Sequence, residues 1–304
     1  MTALEFRNVD ILFPPVGSGR RRAQAALNRA LAALDAGGSR AEIAERTGVI
    51  VGVCNATLGV ERGEISVLMG LSGSGKSTLL RAANGLNRIT RGHVLVRDGD
   101  AVIDLARCNS ASLRRLRRLR IAMVFQQFAL LPWRTVRENV GFGLELRGEP
   151  AERRRRIVDE QLELVGLSQW ADRHCSELSG GMQQRVGLAR AFATDAEILL
   201  MDEPFAALDA QLRQVLQDEL LQICQERSYT VFFVTHNIDE AILLSDRIVL
   251  LSARPGVVRG SYDVPFTHPR TPDLRSHPDF VALEEHIWGD LRGEVTTAMD
   301  QEAK

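Results

Sequence analysis

Nine consecutive residues, Gly70-Leu-Ser-Gly-Ser-Gly-Lys-Ser-Thr78, have the spacing G-x-x-x-x-G-K-[S/T] and follow directly on the apolar run Ile65–Met69. The chemistry open to this pattern is phosphate binding. Glycines let successive backbone N–H groups turn inward around phosphate oxygens, and a helix opening near Lys76 adds the positive end of its dipole. Lysine in this place reaches the β- and γ-phosphates, and the serine hydroxyl after it coordinates Mg²⁺. Gly70, Leu71, Ser72, Gly73, Ser74, Gly75, Lys76, Ser77 and Thr78 are therefore read as the nucleotide-binding residues, with Ser77 also a metal ligand. A glycine-rich turn that merely precedes a helix has no need of lysine and then serine at these positions.

Two further segments carry chemistry. Ile198-Leu-Leu-Met-Asp202-Glu203 is an apolar run ending in two acids. Asp202 at the end of such a strand is placed to hold Mg²⁺. Glu203 is expected on the opposite face, since strand side chains alternate, where it can polarise a water attacking the γ-phosphate. Alone the pair also fits a surface strand end. Leu178-Ser-Gly-Gly-Met-Gln-Gln-Arg185 is a second glycine-rich helix entry. Ser179, Gly180 and Gly181 present N–H groups, so this is either a plain helix cap or a site for phosphate supplied from elsewhere. Met182, Val186, Ala189 and Ala193 follow at helical spacing.

The elements that must position these residues are legible in outline. Ile65–Met69, Ile121–Phe125, Ile198–Met201, Thr230–Val234 and Ile248–Leu251 are short apolar runs without polar alternation. That is the mark of strands buried on both faces of a parallel sheet. Helical stretches between them give an α/β pattern. Two segments stand outside it. From about 14 to 48, Leu27, Leu31 and Leu34 suit one helical face, Gly37-Gly38 stops that helix, and Ser39 with Glu42 opens another with capping-box spacing. From about 108 to 178 the chain is arginine-rich and helical, with Val158, Leu162 and Val165 on one face. Beyond Arg254, five prolines argue against continued regular structure, apart from a short helix near 280–291.

Composition bounds the alternatives. A chain of 304 residues allows two domains or one large domain with an appendage. With 38 Lys+Arg against 39 Asp+Glu the formal charge is −1, which disfavours a dedicated nucleic-acid binder. Arginines cluster at 20–22, 114–120 and 153–156, but acids stand beside them and no aromatic interleaves, so stacking platforms for single strands are missing. No apolar run nears the roughly 18 residues of a membrane span, and Glu5 and Arg7 interrupt the start of the chain. A cytoplasmic chain follows as the expectation. Cys54, Cys108, Cys175 and Cys224 have neither zinc-site nor disulfide spacing.

Taken together, the segments resemble the ABC ATPase family, whose motifs occur here in order over roughly 50–255. They are the phosphate loop, Gln126 after Val124-Phe125, the signature segment Leu178–Arg185, Asp202-Glu203, Ala207-Leu208-Asp209, and His236 after Thr235. The resemblance implies an α/β fold, a P-loop NTPase core of ABC-ATPase type with a helical subdomain and an N-terminal helical insertion. It implies an ATPase domain over 1–265, with the insertion at about 14–48 and the helical subdomain at about 108–178, followed by a tail at 266–304 without a regulatory domain. It further implies a head-to-tail dimer in which Ser179, Gly180, Gly181, Gln183 and Asp209 of one copy meet ATP held by the other. Gln126 resembles the glutamine that touches Mg²⁺ and the attacking water, Asp202 the metal carboxylate, Glu203 the general base and His236 the histidine that bonds the γ-phosphate. Phe13 is the candidate to stack on adenine, with Phe6 its competitor. Ala206 departs from the serine common in this family.

Ala33–Ile43, Leu68–Leu86 and Gln127–Trp133 resemble ATPase subunits of bacterial choline, glycine betaine and proline importers. The later segments Val234–Ala241 and Leu251–Gly256 look more like those of nitrate, sulfonate and taurine importers. The expectation is thus an ATP-hydrolysing importer motor at the cytoplasmic face of the inner (plasma) membrane. Its partners are a second copy, two integral membrane permease subunits and, indirectly, a substrate-binding protein, with no nucleic acid. A soluble P-loop kinase leaves Leu178-Ser-Gly-Gly without a purpose. A DNA-repair or translation ATPase of this superfamily usually has a coiled coil or a duplicated ATPase, absent here.

Overall fold

Aliphatic and β-branched runs without polar alternation need cover on both faces, and all five expected runs are strands. The computed structural model describes residues 1–206, 208–268 and 270–302. It falls into two compact units, one formed by Met1, 61–65 and 109–234, the other by 2–60, 66–108 and 235 onward.

The second unit begins with β1 (Thr2–Phe13), helices α1 (Arg20–Asp35) and α2 (Arg40–Thr47), and β2 (Ile50–Glu61). β3 (Ile65–Gly70) leads into α3 (Lys76–Ala82), followed by β4 (Arg91–Asp98) and β5 (Ala101–Asp104). β1 pairs antiparallel with β4, Leu4 opposite Val96 and Phe6 opposite Val94, and the strand order is β2-β1-β4-β5. These four strands were not expected, for a physical reason. β2 alternates buried and exposed positions, the pattern of a half-covered antiparallel strand, whereas uninterrupted apolar runs find only strands covered on both faces.

The helical insertion has its expected form. Ser39 and Glu42 make a complete capping box, and Gly48 closes α2 in the left-handed conformation. Its packing is shifted by one helical position. Leu27, Leu31 and Leu34 are only partly buried, while Ala26 and Ala30 sit fully inside with Leu12, Ile43 and Val51. Arg91 on β4 ties the insertion down, meeting Asp10 at 2.5 Å and Asp35 at 2.8 Å.

In the first unit, α4 (Ser110–Leu119), β6 (Ile121–Val124), α5 (Val136–Val140), α6 (Phe142–Arg147), α7 (Ala151–Leu164) and α8 (Gly180–Ala193) precede β7 (Ile198–Asp202), α9 (Ala210–Arg227) and β8 (Thr230–Val234). β6, β7 and β8 are parallel, with Val124 opposite Met201 and Asp202 opposite Val234. Val158, Leu162 and Val165 bury their stripe against Val136, Val140, Val186 and Ala189, with Met182 packed on this cluster. The arginines of α7 run beside acids four residues on or back, as Arg153–Glu149, Arg155–Asp159 and Arg156–Glu160.

The chain returns to the second unit through α10 (Ile238–Leu244) and β9 (Arg247–Leu251), which lies parallel to β3. Regular structure then continues further than the prolines suggested. β10 (Val258–Asp263) pairs antiparallel with β9, and α11 (Pro278–Glu302) is far longer than the expected 280–291. Pro255 and Pro265 flank β10 rather than interrupt it, and Pro278 opens α11 at the one turn that needs no N–H. Among the described residues no helix is long and apolar enough to cross a membrane.

Candidate functional site

The phosphate loop lies between β3 and α3, as its spacing requires. Lys76 is buried, and its Nζ donates to the carbonyls of Gly70 and Leu71, each at 2.8 Å. The ammonium thus closes the loop on itself. Two glycines are required by geometry. Gly75 has φ +96, and a Cβ there would lie 2.9 Å from the Gly52 carbonyl oxygen of β2. Gly73 has φ +74, and a Cβ would fall inside the guanidinium of Arg254, whose Nε donates to the Gly73 carbonyl at 3.2 Å. Ser77 and Thr78 follow Lys76 in the first turn of α3.

At the end of β7, Asp202 is fully buried. Glu203 is not on the strand. Its N–H still pairs with the Val234 carbonyl at 3.0 Å, but its φ is +49, so the chain turns sharply beneath it. Strand alternation therefore does not set the direction of Glu203; a left-handed residue does. The Gln126 amide Nε2 donates to Glu203 Oε2 at 3.1 Å, which joins two of the expected residues and leaves the Gln126 amide oxygen as an acceptor.

The signature segment forms the expected helix entry. Ser179 caps α8, accepting from the Met182 N–H at 3.4 Å, and Ser179 and Gly180 are exposed, with open space around Gly180. Gln183 turns back instead, donating to the carbonyls of Cys175 and Leu178 at 3.1 and 3.2 Å. Asp209 is the cap of α9, accepting from the Leu212 N–H at 2.9 Å. Ala207 lies outside the described residues. In the second unit His236 is exposed between Thr235 and Asn237, the cap of α10. Phe13 ends β1, 39% exposed, with its ring edge over Gly52, whereas Phe6 is fully buried and offers no face for stacking.

The ABC transporter family profile matches residues 53–206, half of the chain, including the phosphate loop, Gln126, the signature segment and Asp202-Glu203. The chain belongs to the ABC transporter family. It is 46% identical over 248 residues to the glycine betaine/proline betaine transport system ATP-binding protein of Escherichia coli (strain K12), covering 82% of this chain and 61% of that protein. It is 45% identical over 271 residues to the glycine betaine/carnitine transport ATP-binding protein of Listeria monocytogenes, covering 89% and 65%. An uncharacterized ABC transporter ATP-binding protein of Methanocaldococcus jannaschii is 46% identical over 245 residues, covering 81% and 86%. The chain thus spans about three fifths of the length of the E. coli relative. Among solved structures, a dimeric post-hydrolysis ATP-binding cassette bound to ADP and Pi superposes with a TM-score of 0.71 at 29% identity, covering 87% of this chain and all of that one.

In this ABC transporter family chain, three positioning residues escape motif reading. Gln184, 1% exposed, directs its amide Nε2 at the Pro204 carbonyl and lies 3.4 Å from that of Glu203, so α8 holds the turn that carries Glu203. Arg190, also on α8, donates to the carbonyls of Phe128 and Ala129 at 2.8 and 2.7 Å, two residues at positive φ just after Gln126. Burial pushes this guanidinium down from its ordinary pKa. Asn139 is fully buried and brackets the next stretch, accepting from the Leu131 N–H at 2.8 Å and donating to the carbonyls of Leu131, Arg134 and Thr135. A polar residue inside an otherwise apolar helical stripe is the signal that could have found Gln184 and Asn139.

Proposed function

We propose that this chain is the ATP-hydrolysing motor of a bacterial ABC importer for quaternary ammonium solutes of the choline and glycine betaine type. The observation that carries the reading is Glu203, turned off the end of β7 by its left-handed backbone and bonded to Gln126, in a chain with a complete phosphate loop. The likeness to betaine-transport ATP-binding proteins supports the choice of solute.

Asp202, buried, and Gln126 each offer a hard oxygen donor of the kind Mg²⁺ takes, and so does the Ser77 hydroxyl. When bound, the ion offsets charge on the β- and γ-phosphate oxygens. Lys76 neutralises the same phosphates from the loop. Glu203 takes a proton from water as the water oxygen bonds to the γ-phosphorus and the bond to the bridging oxygen of ADP breaks. His236 bonds the γ-phosphate, and Phe13 stacks on adenine. A second copy supplies Ser179, Gly180, Gly181, Gln183 and Asp209 to the far side of the nucleotide. The exposed stretch from Gln126 to Trp133, with Trp133 71% exposed and its backbone fixed by Arg190 and Asn139, is the surface that meets two permease subunits at the cytoplasmic face of the inner membrane. A substrate-binding protein supplies solute from the opposite side.

The test is Glu203→Gln with size-exclusion chromatography and phosphate release. ATP binding persists, closed dimer accumulates and turnover falls by at least about a hundredfold, as expected for a lost general base. Full turnover in this variant removes Glu203 from the role. Uptake of radiolabelled glycine betaine, choline and taurine by cells with and without the chain decides the solute.

A further inference from the structure

A cavity of about 750 Å³ opens within the second unit, between the two helices of the insertion, the first residues of the phosphate loop and the turn 253–255. Its size is that of a small-molecule site. Leu34, Ala44, Ile50 and Val51 give it an apolar wall, and Arg40 and Arg254 are the charged residues that line it. No acid does. Among the described residues neither guanidinium has an acidic partner. The half-buried Arg40 is pushed down from its ordinary pKa, first by burial and then by the charge of Arg254. Glu294 of α11, the carboxylate that touches this turn, is already engaged by the Ala253 N–H at 2.8 Å and by Arg259 at 3.0 Å. Two cations repelling each other over an apolar hollow are an arrangement that an anion relieves.

The hollow is not the nucleotide position described above. Phe13, Lys76, Ser77 and Thr78 do not line it; it takes only Leu71 and Ser72 from the phosphate loop. Yet the two positions share a mechanical part, because Arg254 rests on the Gly73 carbonyl.

We propose that this cavity is a second ligand site, taking a small molecule with one anionic group on an apolar body, and that its occupant weakens nucleotide binding by drawing Arg254 off Gly73. The anionic group sits between Arg40 and Arg254, and the apolar body lies against the insertion. Gly73 then loses the guanidinium that rests on its carbonyl. Coupling of this kind is reciprocal, so ATP weakens the ligand by the same factor. The site itself is independent of the ATPase reading; only its effect rests on residues 70–78 being the nucleotide loop.

The probe is 8-anilinonaphthalene-1-sulfonate, an aryl sulfonate, followed by fluorescence with the full chain. Saturable binding at one site is expected. Arg40→Gln should weaken it about tenfold, the effect of one lost charge-assisted hydrogen bond, and Ala44→Trp should abolish it by filling the hollow. Both variants should keep wild-type ATP affinity when the probe is absent, which also reports that they are folded. The probe should raise the ATP Kd about threefold or more in the wild type and not in the variants. Unchanged probe binding in both variants overturns the site. Loss of probe binding in Lys76→Ala, or full one-for-one displacement by ATP, makes the hollow part of the nucleotide position and overturns it equally. Displacement by inorganic phosphate alone overturns the requirement for an apolar body. Probe binding that leaves the ATP Kd unchanged overturns the coupling.

Discussion

Replacing Gln184 by methionine tests how the turn that carries Glu203, the proposed general base, is held. The side chains are similar in length, so the packing of α8 is kept and only the amide is lost. Glu203 occupies φ +49, a conformation that costs a non-glycine residue about 1–2 kcal/mol. The Gln184 amide opposes that cost by meeting the Pro204 carbonyl, with a longer bond to that of Glu203. Leaving a buried carbonyl unmet costs about 1–3 kcal/mol, comparable to the strain it opposes. On the other side of the account, the Gln184 Oε1 is buried without a partner among the described residues, so methionine also removes an orphaned acceptor. Global stability should therefore change little while the turn relaxes. If about 1.4 kcal/mol of misplacement reaches the carboxylate of Glu203, kcat falls about tenfold. The assay is steady-state phosphate release beside nucleotide affinity and a thermal melt. Lower kcat with ATP affinity and Tm nearly unchanged is the expected result. Wild-type kcat, or a loss of kcat that merely follows a loss of folded protein, refutes the positioning role.

Gly73→Ala should weaken ATP binding about tenfold or more, since it combines a left-handed backbone with a collision against Arg254. Adding Arg254→Ala should not restore affinity, because the backbone cost remains and the guanidinium that rests on the Gly73 carbonyl is lost as well; wild-type affinity in the single variant, read by nucleotide titration, counts against the loop geometry. Asp195 accepts from the Tyr229 hydroxyl at 2.5 Å and from Arg227 at 2.9 Å, which holds its carboxyl below the usual range, while burial first and then Asp195 push the Tyr229 hydroxyl up to about 12. A depressed carboxylate contributes stability above its unfolded pKa of about 3.9 and loses it as pH falls through the folded value. Asp195→Asn, which tolerates the same positive φ, should therefore lower Tm at neutral pH, with the gap to wild type closing below about pH 4; a gap independent of pH argues against the ionic contribution.

The sequence alone determined the parts whose chemistry is local. A phosphate loop needs glycine, lysine and serine at fixed intervals, a capping box needs Ser39 and Glu42 three apart, and strands covered on both faces need unbroken apolar runs. Each is dictated by neighbours a few residues away, so 65–70, 198–202, 230–234 and the insertion helices could be read directly. The strands β1, β2, β4 and β5 were hidden because polar residues interrupt their apolar positions, so none shows the unbroken run of a strand covered on both faces. The extent of α11 was hidden because proline is a helix breaker in the interior and a helix opener at the first turn, and only the boundary decides which.

The direction of Glu203 belongs to the tertiary structure. Its turn is held by Gln184 of α8 and its carboxylate by Gln126 after β6, each brought there by folding rather than by spacing along the chain. The same is true of Arg254. In the sequence it is one more arginine before a proline, and only the pairing of β9 with β3 brings its guanidinium onto the phosphate loop. Local sequence chooses which groups can do chemistry, because bonding along the chain fixes their spacing. Where those groups point is set by contacts between segments distant in sequence, and that required the fold.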